Sequence, residues 1–157
     1  MAVSQMIGAS IKRREDPALV TGTGTFVDDI PQTAVVHMTI VRSTESHARI
    51  VAIDKKAASV LPGVVAIFTG EELARAGVKP LPKSPDFKRA DGSPTASALR
   101  PSLAVDTVRF VGEAVAVVVA QTREQARDAV DAIEVRYETL PMVVDPVAAV
   151  AAGAPLV

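Results

Sequence analysis

The unbroken apolar run Ala114–Ala120, with the sequence AVAVVVA, constrains the fold more than any other part of the chain. A strand with one face in water alternates apolar and polar residues, whereas a continuous run rich in valine is typical of a strand covered on both faces. We therefore predict a central strand here, with the rest of the domain packed around it.

A helix is predicted directly after this strand. Thr122 and Gln125 have the spacing in which a hydroxyl and an amide satisfy each other's free backbone donors at a helix start. The apolar residues that follow recur at i, i+3, i+4 and i+7 and form one stripe; they are Ala126, Ala129, Val130 and Ile133. Small alanines on this stripe allow the helix to lie close to a sheet.

Apolar and polar residues then alternate from residue 133 to residue 138, which indicates a return to a strand and completes a β-α-β unit. A second unit is predicted upstream, from a strand at 49–53 through a helix at 54–61 to a strand at 64–68. Thr69 and Glu72 repeat the capping spacing and predict a further helix that ends at Gly77. Strands are also predicted at 35–41 and 107–110.

From these elements we predict an α+β fold, a mixed β-sheet with β-α-β units and short helices packed on it. Residues 1–30 are interpreted as an extended N-terminal arm with a turn at Asp16-Pro17, residues 31–146 as the domain and residues 147–157 as the start of a linker. Residues 79–101 contain scattered prolines and charges without an apolar period. Such a long excursion is typical of a functional or mobile loop.

The composition excludes several classes of function. The net charge is −1 with both signs interleaved, which argues against nucleic acid as a partner. The absence of cysteine excludes disulfides and thiolate metal sites within the chain. Apolar runs are far shorter than the roughly 20 residues needed to span a bilayer, so we predict no membrane span and a cytoplasmic protein.

Several short motifs have a structural interpretation that we favour over a functional one. Gly22 and Gly24 lack the third glycine and the long helix of a phosphate-binding loop, so a turn is predicted. Asp28 and Asp29 precede Ile-Pro, and their carboxylates are assigned to turn chemistry rather than to a metal.

The histidines and serines do not form a recognisable catalytic set. His37 is placed in a strand and His47 in a loop, with no third ligand at metal-site spacing. The serines in loop-like context lack the strand-turn-helix glycine pattern of a nucleophile elbow.

Five sequence blocks occur in an order that resembles a known family. They are REDPALVTGTGTFVDD at 14–29, RSTESHARI at 42–50, LPGVVAIFTGEEL at 61–73, VRFVGEAVAVVVA at 108–120 and VRYETLPMVVDP at 135–146. Together they resemble the first domain, called the α/β hammerhead, of the molybdenum-binding large subunit of the xanthine dehydrogenase, aldehyde oxidase and carbon monoxide dehydrogenase family. The resemblance runs from about residue 8 to residue 157, with Ala114 standing where the family usually has proline.

The resemblance implies that this chain does not carry the chemistry alone. In the family the residues that hold molybdopterin, and the glutamate base, lie much further along the large subunit. No cofactor is therefore expected within this chain, and molybdopterin is expected in the assembled enzyme. The chain is expected to be a fragment, a separately encoded piece or a cleavage product. Its expected partners are the molybdenum-cofactor domains or subunit, with iron–sulfur and FAD subunits in the complex.

Two functions remain open at this point. The first is a structural domain of a molybdopterin-dependent hydroxylase or dehydrogenase, which braces the cofactor domains and helps to shape the substrate funnel. The second is a free-standing interaction module without catalytic activity. A domain of a larger assembly is expected to expose apolar surface along residues 143–157 and the N-terminal arm, whereas a free-standing module is not.

Four residues are candidates for a functional role, and none is assigned to catalysis or to a metal. By resemblance, Leu99 and Arg100 are placed at the wall of the substrate funnel, with a solvated loop as the alternative. Gly112 and Glu113 meet the central strand and are candidates for a domain seam or a cofactor-proximal position. The alternative for Glu113 is a turn carboxylate bonded to neighbouring amides.

Overall fold

A computed structural model describes residues 8–82, 88–95 and 100–155. The chain divides into two compact units, Met1–Val35 and Val36–Val157. The larger unit contains all the β-strands of the described residues. Its elements are β1 (His37–Arg42), β2 (Ala48–Asp54), α2 (Lys56–Ser59), β3 (Val64–Thr69), α3 (Gly70–Arg75), β4 (Thr107–Val108), β5 (Ala114–Ala120), α4 (Arg123–Asp131), β6 (Glu134–Thr139) and α5 (Pro146–Ala149).

The smaller unit has a short helix, α1 (Asp16–Val20), where the sequence predicted an extended arm with a turn. Pro17 lies in the first turn of α1, where its fixed φ favours the helix and its missing N–H costs nothing. Gly22 has φ +70°, and the amides of Thr23 and Gly24 donate to the carbonyl of Ala18 at 2.9 and 3.0 Å. The glycine segment is therefore a helix-terminating turn, as predicted.

A short 3₁₀ segment, Val27–Asp29, follows in the same unit. The amide of Phe26 donates to the Asp29 carboxylate at 2.9 Å. This contact agrees with the turn role predicted for the aspartate pair.

The predicted central strand is confirmed with the same bounds. β5 lies between β1 and β3 in a three-stranded sheet, antiparallel to both. Ala116 and Val118 face a core formed with α2 and α4, whereas Val115 faces a second core formed with the other sheet. Side chains on both faces of β5 are thus buried at its start, which explains the unbroken apolar sequence.

The second sheet is also three-stranded, in the order β4-β2-β6, and its pairs are antiparallel. The predicted α+β class is confirmed, but the predicted β-α-β units differ in detail. The strands before and after α2, and before and after α4, lie in different sheets. Within the part of the chain that the structure describes, the strand pairs are antiparallel, where the prediction was a mixed sheet.

The reason for this difference is the length and chemistry of the connections. A return to a parallel position in one sheet needs a crossover of at least about 10 residues, and the connection through α2 from β2 to β3 has only nine, residues 55–63. The connection through α4 has 13 residues, 121–133, so its length does not decide the position of β6. Val135 and Tyr137 of β6 instead pack on the second core with Ala48, Val108 and Val115. Burial in that core directs β6 to the second sheet.

Both predicted capping boxes are present. The Thr122 hydroxyl accepts from the Gln125 amide at 3.2 Å, and the Gln125 side chain accepts from the Thr122 amide at 3.1 Å. At α3, the corresponding Thr69 and Glu72 distances are 3.3 and 2.9 Å. The pKa of the Glu72 carboxyl lies below its ordinary value, chiefly because the Lys55 ammonium bonds it and secondly because the Thr69 amide does.

Two predicted elements are shorter than expected. The helix predicted over residues 54–61 is reduced to Lys56–Ser59, and the turn after it contains Gly63 with φ +80°. The strand predicted over residues 107–110 ends at Val108, because the carbonyl of Phe110 accepts a turn bond from the Glu113 amide at 3.2 Å.

The excursion between α3 and β4 has paired backbone at its base. The Leu81 amide donates to the Arg100 carbonyl at 2.9 Å, and these residues form an antiparallel bridge. Lys88 and Pro94 form a second bridge, where the Arg89 amide donates to the Ser93 carbonyl at 2.8 Å. The described parts of the excursion are therefore ordered by pairing across it.

Candidate functional site

A cavity of about 540 Å³ lies where β1 ends and β5 begins. Its lining includes Arg100, Gly112 and Glu113, which the sequence had singled out in separate parts of the chain. Arg42 and Arg109, which the sequence analysis did not select, line it as well. Leu99 lies outside the described residues. The structure thus brings three of the four candidate residues to one place.

Backbone hydrogen bonds to Ser43, the residue after β1, hold Gly112 and Glu113 in place beside the cavity. The Gly112 amide donates to the Ser43 carbonyl, and the Ser43 amide donates to the Glu113 carbonyl, both at 2.8 Å. Gly112 has φ +90°, in the left-handed region where a side chain would be strained. Glycine at this position therefore allows the sharp turn that carries the chain from β4 into β5.

Backbone carbonyls hold two of the guanidinium groups. Arg42 donates from Nη1 to the carbonyl of Gly112 at 2.9 Å, and Arg109 donates from Nη1 to the carbonyl of Thr107 at 3.0 Å. A guanidinium has five N–H donors, so each retains donors for a further acceptor. The cavity is suited to an anionic or carbonyl group.

The Glu113 carboxylate accepts a hydrogen bond from the backbone amide of Arg109. This is the contact expected of a turn carboxylate, the alternative that the sequence left open. It closes the turn over residues 109–113. A position of Glu113 and Gly112 at a domain seam or near a cofactor stays a prediction.

Arg100 lies at the base of the excursion, where its carbonyl is fixed by the Leu81 amide. Its exposed side chain lines the cavity. The sequence pattern placed Arg42 directly after the strand predicted at 35–41 and Arg109 in the strand predicted at 107–110, but it could not show which strand ends meet. That proximity follows from the antiparallel pairing of β1 with β5.

The histidines lie apart from the cavity, in the strand and the loop predicted for them. His37 begins β1, whereas the buried ring of His47 bonds the Pro141 carbonyl through Nδ1 at 2.6 Å. Among the described residues, no three His, Cys, Asp or Glu side chains come together in a way that could hold a metal ion. The cavity offers guanidinium donors and an engaged carboxylate, which do not fit a metal-ligand set.

Within residues 8–82, 88–95 and 100–155, no helix is both long and apolar enough to cross a membrane.

Two three-stranded antiparallel sheets, short capped helices and an arginine-lined cavity between strand ends define an α+β domain. Residues 21–141 match the family described as aldehyde oxidase and xanthine dehydrogenase, a/b hammerhead domain. The chain belongs to this family, so the resemblance found in the sequence is confirmed.

The similar proteins include subunits of dehydrogenases. The chain is 40% identical over 140 residues to the 6-hydroxypseudooxynicotine dehydrogenase complex subunit gamma of Paenarthrobacter nicotinovorans, with 89% of this chain and 17% of that subunit covered. It is 40% identical over 144 residues to the carbon monoxide dehydrogenase large chain of Hydrogenophaga pseudoflava, with 91% and 16% covered. The chain therefore spans about one sixth of the length of these relatives and corresponds to their hammerhead region.

Solved structures show the same fold. Quinoline 2-oxidoreductase from Pseudomonas putida 86 superposes with a TM-score of 0.81 at 38% identity, over 94% of this chain and 18% of that one. The reconstituted CO dehydrogenase from Oligotropha carboxidovorans superposes with a TM-score of 0.79 at 37% identity, over 95% and 17%. These matches support the α+β hammerhead class directly.

Proposed function

We propose that this chain acts as the hammerhead domain of a molybdopterin-dependent hydroxylase or dehydrogenase, where it braces the cofactor domains and helps to shape substrate access. The observation that carries the proposal is the family match over residues 21–141, together with the small share of each relative that the chain spans. Because the chain spans only 17% and 16% of these relatives, we assign molybdopterin to a partner domain or subunit. Iron–sulfur and FAD subunits and a cytoplasmic location belong to the same proposal.

Exposed apolar side chains support a role within a larger assembly. Toward the end of the chain, Val144, Val147 and Val150 are 81%, 75% and 84% exposed. In the smaller unit, Phe26 and Val27 are exposed at 65% and 75%. Burial of such surface is worth about 25 cal/mol per Å², which favours contact with another polypeptide. Both segments are those in which the sequence predicted apolar surface for a domain of this kind.

We expect the tagged chain, expressed in its native cell, to purify with a polypeptide that contains molybdenum at about one atom per chain. Metal analysis and pterin fluorescence of the captured complex provide the measurement. Val147→Asp is expected to reduce the captured molybdenum by at least half, because a charge is placed on surface that the partner covers. Val60→Asp is the matched control, since Val60 is 80% exposed but lies at the end of α2.

Capture of a metal-free, monomeric chain under these conditions would instead support the free-standing interaction module. If the Val60 and Val147 variants lost molybdenum equally, the segment around Val147 would not be the surface that contacts the molybdenum-containing partner.

We further propose that Arg100, with Leu99 beside it in the sequence, contributes to the wall of the substrate funnel. In the assembled enzyme, Arg100→Ala is expected to raise KM about fivefold for a substrate that presents a carboxylate or carbonyl, through loss of about 1 kcal/mol of binding. The change in KM is measured by steady-state kinetics of the Arg100→Ala and Leu99→Ala variants, each with several substrates. Arg89→Ala is the control, since Arg89 is an exposed arginine of the same excursion that does not line the cavity. Unchanged turnover and substrate preference in the Arg100 and Leu99 variants would rule out the funnel role.

A further inference from the structure

We infer that the free edge of β1 is a docking site for an acidic, extended segment of another polypeptide. The inference depends on a row of arginines, which we call the arginine strip: Arg100, Arg109, Arg42, Arg123 and Arg127. It does not require the proposed enzyme assembly, because it concerns the chemistry of one surface of the larger unit.

The arginine strip joins two cavities. Arg42 lines the cavity of about 540 Å³ described above together with Arg100 and Arg109. It also lines an open cavity of about 470 Å³ along β1, together with Arg123 and Arg127 of α4. Because Arg42 belongs to both, the strip runs continuously from the turn before β5 along the outer side of β1.

The arginines of this strip form no ion pair within the described ranges, although the Glu113 carboxylate lines one of the two cavities. That carboxylate accepts the backbone amide of Arg109. The ion pairs found within the described ranges use other cations: Arg13 with Asp16, Arg49 with Glu138, Lys55 with Glu72 and Arg75 with Glu71. Glu124 interacts with Arg123 and Arg127 through space but forms no ion pair in the same ranges. The whole chain has a net charge of −1, so this concentration of positive charge is a local feature.

The strip borders a strand edge with unused hydrogen-bonding capacity. β1 is the terminal strand in the order β1-β5-β3, and within the described residues it pairs only with β5. Alternate N–H and C=O groups of a terminal strand point outward and can pair with an added strand. β1 has 6 residues, a typical length for strand pairing.

The two faces of β1 specify the sequence pattern of the added segment. Val41 and Ala116 pack in the core with Ala129 of α4, so Thr39 points to the α4 face, where Arg123 and Arg127 lie. Met38 and Ile40 point to the opposite face, because side chains alternate along a strand. The complementary segment therefore alternates acidic residues toward α4 with apolar residues toward Met38 and Ile40.

An acidic polypeptide fits this surface better than a nucleic acid does. Arginine pairs with carboxylates through two parallel hydrogen bonds, and no lysine occurs among the described residues that line the two cavities. Single-stranded nucleic acids are held by stacking on successive aromatic rings, and the described lining of the two cavities contains a single aromatic residue, Phe110. The apolar groups Met38 and Ile40 match side chains of a peptide instead.

The test uses the full chain and a synthetic octapeptide that alternates glutamate and valine, titrated at low ionic strength by calorimetry. We expect binding, together with slower amide hydrogen exchange at outward-facing positions of β1. The double variant Arg123→Glu/Arg127→Glu is expected to weaken the affinity at least tenfold. Arg136→Glu is the matched control, because it removes an exposed arginine from β6, outside both cavities.

Any one of the following results would overturn the inference. The first is failure of the octapeptide to bind, or equal binding of a peptide with lysine in place of glutamate. The second is an equal loss of affinity in the Arg136 control. The third is binding without protection of β1 amides, which would leave a charge contact with no added strand. The fourth is tighter binding of oligothymidylate, which would make a single-stranded nucleic acid the ligand of this surface. Self-association of the chain that the double variant abolishes would likewise make a second copy of the chain its partner.

Discussion

Replacing Gly70 with alanine is expected to lower the free energy of unfolding by about 3 kcal/mol, a large share of the stability of a domain of this size. Gly70 is buried at the start of α3, and a Cβ there would overlap the carbonyl oxygen of Ala104 and lie 2.9 Å from that of Leu103. Both obstacles are backbone atoms, so no flexible side chain can move aside. Either α3 or the segment that leads to β4 must shift.

Urea unfolding of both proteins, followed by circular dichroism, measures this change, and the melting temperature is expected to fall by roughly 10 °C. Gly77→Ala is the matched control. Gly77 has φ +86° but open space around its Cα, so alanine there costs about 1 kcal/mol through backbone strain alone. A Gly70 variant within 1 kcal/mol of the native protein would show that the contact between α3 and residues 103–104 is looser than the structure indicates.

Replacing Ala129 with leucine is expected to destabilise the domain by about 2 to 3 kcal/mol. Ala129 is fully buried, in a core that includes Ala58 and Ala116. The added atoms would press on these neighbours, because small side chains set the close approach of α4 to the sheet. Thermal and urea unfolding measure the effect.

The neighbouring substitution Asp128→Leu adds similar apolar bulk on the exposed face of α4 and is expected to change stability by less than about 0.5 kcal/mol. Comparable losses in both variants would contradict the close packing of α4. A loss confined to Ala129 would show that the alanine stripe predicted from the sequence determines the spacing between helix and sheet.

Local sequence patterns were sufficient to predict the elements that local chemistry determines. The apolar run at Ala114–Ala120 and the two capping boxes are present as predicted, because burial on both faces and reciprocal side-chain bonds depend on nearby residues. The assignment of strands to sheets was not predictable in this way. Periodicity reports which face of β6 is buried, but the partner that buries Val135 and Tyr137 is set by the whole topology.

In the candidate site, too, local sequence patterns identified some residues, whereas those brought in by long-range strand pairing were missed. Gly112, Glu113 and Arg100 were selected from turn chemistry and family resemblance, and all three line one cavity. Arg42 was missed because it is distant in the sequence and reaches the cavity only through the pairing of β1 with β5. The short helix α1 was missed because Asp-Pro was assigned to a turn, although proline is equally compatible with the first turn of a helix.

The antiparallel bridge between Leu81 and Arg100 holds the two ends of the intervening segment next to each other. Once the two ends of a segment are tied together, doubling its length costs only about 0.6 kcal/mol in chain entropy. Insertions, deletions and replacement of the sequence between these two residues can therefore accumulate without displacing β3, α3 and β4. Descendants of one ancestral domain can in this way diversify the segment beside Arg100 without rebuilding the scaffold that presents it.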